Sequence, residues 1–329
     1  MTSDNLYRPP YAVSERAVNL IAEISAACER FRIEMESPDG VRLRKINHIR
    51  TIRGTTAIEG NTLSEAQVTA VLAGKRVVAP KREIEEVQGA HRAYQLLGKF
   101  DPYATADWLR VHAEMMSGLI GGAGAWRTQG VGVVDGFGNV LHMAPPASRV
   151  VALVGDLADW ARTSDAHPLV KSCVFHYEFE FIHPFIDGNG RMGRLLQTAI
   201  LGEWNDIFYA APIENIVFEN QQGYYQAIND STARANSEPF IDFMLERILE
   251  TIRRKGVPVN VPVNVPVNER ILELIKSHPG VNRRLLAKAL GVTEKTVGRH
   301  IKAMSGKIEF RGAPKTGGYH VVSYGDRPA

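Results

Sequence analysis

The chain has 329 residues, 44% of them hydrophobic and 23% charged, with a formal net charge of +3. That length suits about two domains, and the balance excludes collagen-like, coiled-coil and wholly disordered chains. No apolar run approaches the ~20 residues of a membrane helix, the start MTSDNLYRPPYAV has no basic-then-apolar leader, and Cys28 and Cys173 are too few for a disulfide framework or zinc cluster, so a cytoplasmic setting without a membrane partner is expected.

Helical patterns dominate from the start. Residues 14–32 place Val18, Ile21, Ile24 and Cys28 at three- and four-residue steps. Ser64 precedes Glu65, Val68, Val71 and Leu72, which reads as an N-cap opening an amphipathic helix over 64–73. Residues 83–98 and 105–119 repeat the pattern. Residues 131–142, Val-Gly-Val-Val-Asp-Gly-Phe-Gly-Asn-Val-Leu-His, break it with valines around a turn cluster, a hairpin signal that fits a surface flap or a plain structural turn. Helices resume at 147–163, through Val150, Val151, Leu153, Leu157 and Trp160, then at 169–182, 191–205, 222–230 and 238–253.

Between two of these helices lies His183-Pro-Phe-Ile-Asp-Gly-Asn-Gly-Arg-Met-Gly-Arg194. Pro184 disfavours helix at His183, ending the first helix there. Gly188 and Gly190 favour a tight turn and allow close approach of a phosphate to the backbone. The helix start that follows offers free N–H groups, an anion site. Arg191 and Arg194 are three apart and share a helix face, so they can clamp one polyanion. Asp187 stands where a phosphate-bound Mg²⁺ wants a carboxylate. His183 is the residue type that titrates near neutrality and can take a proton from an attacking hydroxyl. Phe185 is the apolar anchor. Each residue has a plainer reading: a helix-ending histidine, an N-cap aspartate, turn glycines, surface ion-pairing arginines. All of them within twelve residues point to a nucleotide site.

Val-Pro-Val-Asn then occurs three times over 257–268. Proline every fourth residue forbids a regular helix and a central strand, so the stretch reads as an extended linker, with an added edge strand as the alternative. Residues 269–329 hold 12 Lys+Arg against 5 Asp+Glu, a net +7, leaving −4 for the remainder. Helices are expected at 269–278, at 283–290 and, capped by Thr293, up to Met304, with two short strands in 307–322 around Pro314-Lys-Thr-Gly-Gly318. The unit resembles a winged helix-turn-helix whose third helix presents Lys295, Thr296, Arg299, His300 and Lys302 outward, toward DNA or a protein contact.

The loop itself resembles the signature of the Fic (Fic/Doc) family, H-x-F-x-[D/E]-G-N-G-R-x-x-R. All eight specified positions are met, by His183, Phe185, Asp187, Gly188, Asn189, Gly190, Arg191 and Arg194. The likeness covers roughly residues 10–250 and implies a mainly α, Fic-fold helical bundle with a β-hairpin flap, followed by the small winged unit. On that basis residues 1–100 form an N-terminal helical region with an inhibitory helix, 101–255 the catalytic core, 256–268 the linker and 269–329 the winged helix-turn-helix. The resemblance implies a protein adenylyltransferase that moves AMP from ATP to a Ser, Thr or Tyr hydroxyl of a target protein. His183 is then the base and Asp187 the Mg²⁺ ligand. The Gly188–Gly190 backbone, with Asn189 and Arg191, cradles the α- and β-phosphates, and Arg194 holds the γ-phosphate. Thr55-Thr-Ala-Ile-Glu-Gly60 resembles the family's inhibitory [S/T]-x-x-x-E-[G/N] helix, so Glu59 is expected to engage Arg194, a solvated helix-end glutamate being the alternative. Residues 220–228 resemble the family's segment near the adenine, with Asn220 and Tyr225 as the contacts. The hairpin at 131–142 falls where the family docks its target by strand addition. Expected partners are the target protein, the chain itself through self-modification, DNA through the winged unit, and a second copy as a homodimer. A DNA-binding regulator with a nucleotide-sensing body, or an enzyme acting mainly in AMP removal, are the competing functions.

Overall fold

The computed structural model describes residues 7–36, 40–134, 140–254, 267–304, 306–313 and 317–322. Contacts divide the chain into two compact units, residues 1–132 with 142–257, and residues 133–141 with 258–329. No helix among the described residues is long and apolar enough to cross a membrane.

The larger unit is a helical bundle around α7 (Pro168–Ile182) and α8 (Asn189–Trp204). Most residues of these two helices are buried, polar ones such as His176, Arg194 and Gln197 among them. Around them stand α1 (Glu15–Glu36), α2 (Gly40–Ile58), α3 (Glu65–Leu72), α4 (Lys81–Tyr94), α5 (Thr105–Met116), α6 (Val150–Thr163), α9 (Ile213–Glu219), α10 (Gln221–Arg234) and α11 (Glu238–Arg253). The Ser64 cap is present and forms a full capping box with Gln67. The helices expected at 83–98 and 105–119 end earlier, at Tyr94 and Met116, and continue as turns. Of the expected α1 face, Ile24 and Cys28 are buried and Ile21 packs part-buried against the core, but Val18 does not join them. Ala17, Leu20, Ile24 and Ala27 face the core, the small alanines allowing close packing on α11, while Val18 is 57% exposed. In α6 the core face is likewise Val150, Val154, Leu157 and Trp160, with Val151 turned outward.

The helix that carries Thr55, α2, has no apolar stripe, and its periodicity does not announce it. Asn47, Thr51, Arg53, Thr55 and Thr56 are buried, each needing a partner. Asn47 donates to the Ala210 carbonyl at 3.0 Å, Thr56 back-bonds to Ile52 at 2.9 Å, and the Arg53 guanidinium stacks 5.1 Å over the Phe218 ring. Asn47 and Arg53 thus reach partners on other elements, Thr56 bonds within its own helix, and Ile49, Ile52 and Ile58 bury apolar surface beside them. Glu59 sits one residue past its end.

The strands β1 (Gly132–Val134) and β2 (Val140–Met143) pair with each other, forming the expected hairpin. Its turn, 135–139, lies outside the described residues. Most of the Val-Pro-Val-Asn linker, through residue 266, does too; its last two residues, Val267 and Asn268, already open α12 (Val267–Ser277).

In the C-terminal unit, α12, α13 (Arg283–Leu290) and α14 (Glu294–Ala303) pack around Ile271, Ile275, Leu286, Leu290 and Val297. Asn282 caps α13, Gly291 ends it in the left-handed conformation, and Thr293 caps α14. Antiparallel strands β3 (Ile308–Arg311) and β4 (Gly318–Val321) follow, with Ile308 opposite Val321, and Tyr319 bridges back to Val281. This is a helix-turn-helix with a two-stranded wing. Lys295, Arg299 and Lys302 of α14 are exposed, as expected. Thr296 and His300 are half-buried instead, because Thr296 shares a hydroxyl contact with Thr293 at 3.0 Å and the His300 ring meets Asn268 at 2.5 Å.

Candidate active site

The loop between α7 and α8 is braced before any ligand enters. His183 ends α7 in the left-handed region, φ 50° and ψ 60°, uncommon for a residue with a side chain. Its Nδ1 lies 3.2 Å from the Glu180 carbonyl. A carbonyl only accepts, so Nδ1 carries the proton and Nε2 keeps a free lone pair. Phe185 is fully buried, stacked flat on His112 with ring centres 3.6 Å apart. The Gly124 N–H donates to His112 Nδ1 at 2.9 Å, so His112 Nε2–H donates to the Asp187 carbonyl at 3.0 Å. Burial pushes this imidazole down to about 4, which keeps it a neutral pillar beneath the loop.

Gly188 begins α8 at φ 85°. A Cβ there would stand 2.7 Å from Met116 Sδ in a backbone region that side chains avoid, so only glycine serves. It brings no capping side chain, which leaves the first-turn N–H groups of α8 without a helical acceptor. A Cβ at Gly190 would meet the ends of the Glu59 and Arg194 side chains, which are flexible and can give way. Asn189 behaves differently from the expectation. It is buried, and both ends of its amide are taken by the Phe185 backbone, accepting from the N–H at 2.8 Å and donating to the carbonyl at 2.9 Å. It staples the loop rather than facing a phosphate.

Arg191 and Arg194 are each 3% exposed. Arg191 Nη2 reaches Asp187 Oδ1 at 3.2 Å, and its Nε is buried with no hydrogen-bond partner. A buried guanidinium with an orphaned donor at a helix N-terminus suits an anion. The Asp187 carboxylate is 37% exposed on its side chain; Oδ1 also takes the Gly188 N–H at 2.6 Å, and Oδ2 faces Arg82 Nη2 at 3.5 Å. One hard, partly solvated carboxylate beside a phosphate cradle fits Mg²⁺, which takes few protein ligands and several phosphate or water oxygens.

Arg194 meets Thr55 and Glu59. Its Nη2 donates to Glu59 Oε1 at 2.6 Å and to the Thr55 carbonyl at 3.1 Å, and its Nε donates to the Thr55 hydroxyl at 3.1 Å. Burial works against the guanidinium's charge, but Glu59 holds it above its ordinary value. The geometry expected between these two residues is therefore present.

Of the two adenine-side candidates, Tyr225 lies near the same segment, its hydroxyl 3.4 Å from the Ile58 carbonyl, which Gln221 also holds at 2.8 Å. Asn220 does not open toward the site: its amide folds back onto the Ile216 carbonyl at 2.9 Å and ends α9. Tyr224 is the core aromatic of the pair, 2% exposed, with its hydroxyl 3.1 Å from His176 Nε2. Glu180, on α7, places Oε2 3.9 Å from His183 Nδ1 and Oε1 3.6 Å from His176 Nε2, and His176, Arg194 and His183 hold it below the usual carboxylate range against the cost of burial. His112, Arg127, Glu180 and Arg82 all support the loop. None carries a local sequence signal, since three lie on other elements and Glu180 reads as one more helix residue.

Residues 102–201 match the Fic/DOC family, and residues 267–305 match the winged helix-turn-helix DNA-binding family. A solved Fic family protein from Desulfovibrio desulfuricans G20 is 38% identical, with a TM-score of 0.73, over 98% of this chain and 100% of its own. The chain is also similar to a protein adenylyltransferase Fic of Nematostella vectensis, 29% identical over 222 residues, 64% of this chain and 49% of that protein. A probable protein adenylyltransferase of Aquifex aeolicus is 40% identical over 88 residues, 26% of this chain and 25% of that one. The chain spans about half the length of the curated relatives it matches or less. The glycine-bounded loop, its two buried arginines and the near full-length likeness to a solved relative agree, and the chain belongs to the Fic family.

Proposed function

We propose that this protein transfers AMP from ATP to a hydroxyl side chain of a target protein, and that Glu59 restrains it by occupying Arg194. The observation that carries the reading is an imidazole with its Nε2 lone pair free at the rim of an uncapped helix N-terminus that holds two buried arginines. The curated relatives named protein adenylyltransferase support it.

In this reading the triphosphate lies along the first turn of α8. The backbone N–H groups after Gly188 and the orphaned Arg191 Nε hold the phosphates nearest the reacting phosphorus. Arg194 takes the terminal phosphate once Glu59 is displaced. Asp187 would hold Mg²⁺, which when bound supplies charge neutralisation to the departing pyrophosphate. His183 Nε2 accepts the proton of the target hydroxyl as its oxygen attacks the α-phosphorus and the bond to pyrophosphate breaks. The imidazolium that forms keeps its Nδ1–H on the Glu180 carbonyl. Positioning and fixed dipoles supply most of the acceleration. The test is labelled ATP with Mg²⁺, using wild type, Glu59→Gly and Glu59→Gly/His183→Ala. Protein-bound AMP in the second and none in the third is expected; equal labelling in both removes His183 as the base.

The winged unit supports a second role, binding of duplex DNA, because Lys295, Arg299 and Lys302 are exposed along α14 and the match to a DNA-binding family covers it. Basic side chains on such a helix reach phosphates first and base edges second. Salt-sensitive binding to duplex DNA tests it.

A further inference from the structure

Arg127 lies before the hairpin and is 4% exposed. Its guanidinium donates to four backbone carbonyls: Nε to His183 at 2.7 Å, Nη2 to Ile182 at 3.2 Å and to Pro145 at 2.6 Å, and Nη1 to Gln129 at 2.9 Å. Its own N–H donates to the Pro184 carbonyl at 2.9 Å. The first two carbonyls and Pro184 bracket the left-handed turn that aims His183. Gln129 and Pro145 are the two feet of the hairpin, which Ala144 N and the Val131 carbonyl join at 3.2 Å. Among the described residues no carboxylate shares this guanidinium. One planar fork therefore ties the backbone of the base to both ends of the flap.

We propose that Arg127 is a positioning residue for AMP transfer: it holds His183 in its uncommon backbone conformation and locks the base in register with the feet of the hairpin. This rests on the reading of His183 as the base. The fork geometry is what matters. Lysine keeps the charge and the stem but offers a single point, which cannot span four carbonyls in two directions. Without the fork, the left-handed turn relaxes and the imidazole moves relative to the acceptor hydroxyl. A displacement of about 1 Å at a reacting group costs on the order of 100-fold in rate, and the phosphate cradle on α8, which Arg127 does not touch, keeps its affinity.

The test uses the full chain and two variants, Arg127→Lys and Arg127→Gln, in two measurements. Hydrogen exchange without nucleotide is expected to quicken together in 181–187 and in the hairpin feet, 128–132 and 143–146, with α8 unchanged. Quickening at only one of the two places, at neither, or throughout the body overturns the proposal. In the Glu59→Gly background, kcat for AMP transfer is expected to fall about 100-fold while ATP affinity, measured by direct binding, stays within about threefold. A parallel loss of ATP affinity, or an unchanged kcat, overturns it. If Glu59→Gly itself transfers no AMP, the functional reading fails, and the exchange measurement still decides the coupling. If neither variant folds, Arg127 is a structural residue and the proposal falls.

Discussion

Glu59→Gly removes the carboxylate that Arg194 holds at 2.6 Å and leaves the two Thr55 bonds in place. A hydrogen bond to a charged group contributes about 1.5–3 kcal/mol, and 1.4 kcal/mol is a factor of ten. A nucleotide that must displace Glu59 therefore gains about 10- to 150-fold in affinity when it is gone. The Glu59 side chain is 33% exposed, which screens the pair and favours the lower end, about 10- to 30-fold. Stability moves the other way. Arg194 is left in the core without its carboxylate, at a cost of about 2 kcal/mol, or roughly 4–8 °C in Tm. Calorimetric titration with ATP, ADP and AMP in Mg²⁺, together with thermal unfolding, reads both effects. ATP affinity is expected to rise while AMP affinity stays level, since only the terminal phosphate competes with Glu59, and saturating MgATP restores the lost Tm. A folded variant with wild-type ATP affinity and wild-type transfer would refute the argument.

His48 and His91 meet at 2.8 Å between α2 and α4, and burial, with His91 beside it, pushes His48 down to about 4. The native ring stays neutral while the unfolded one takes a proton below about pH 6.5, so this group's contribution declines as pH falls toward 4, by about 2 kcal/mol between pH 7 and pH 5. Denaturant unfolding of His48→Gln is expected to show a flatter acid limb; the same slope as wild type would count against it. Arg82 is a mostly exposed counter-charge to Asp187 at 3.5 Å. Arg82→Ala is expected to lower the Mg²⁺ concentration needed for half-maximal binding of a fluorescent ATP analogue by about two- to fivefold, and an unmoved midpoint would place Arg82 outside the ion's balance. For the winged unit, Lys295→Ala/Arg299→Ala is expected to weaken duplex binding at all sequences and reduce the salt slope by about 2, as measured by fluorescence anisotropy. Absence of salt-sensitive binding by wild type would remove the DNA role.

The catalytic loop was legible because its punctuation is local: proline after His183, glycines at 188 and 190, arginines three apart. The helices that bury an apolar stripe, such as α11, were legible for the same reason. On α1, Ile24 and Cys28 lie in the core as expected, but Val18 does not, because close helix packing favours the small Ala17 and Ala27. The helix α2 was hidden from periodicity because asparagine, threonine and arginine share its buried positions with Ile49, Ile52 and Ile58, and Asn47 and Arg53 find their partners far along the chain; only the family likeness pointed to it. Asn189 and Asn220 are expected at nucleotide; in the structure each short amide bonds a neighbouring backbone group, a contact that no residue pattern announces. His112 and Arg127 act on the loop from 75 and 56 residues away in sequence, beyond any local pattern.

The staple formed by Asn189 on Phe185 has a thermodynamic corollary. Because the binding crevice is already shaped, docking of a triphosphate orders little main chain and buries little new apolar surface. Its heat-capacity change is expected to be small, and on the proposed reading the release of Arg194 needs the swing of one glutamate side chain, not the folding of a segment.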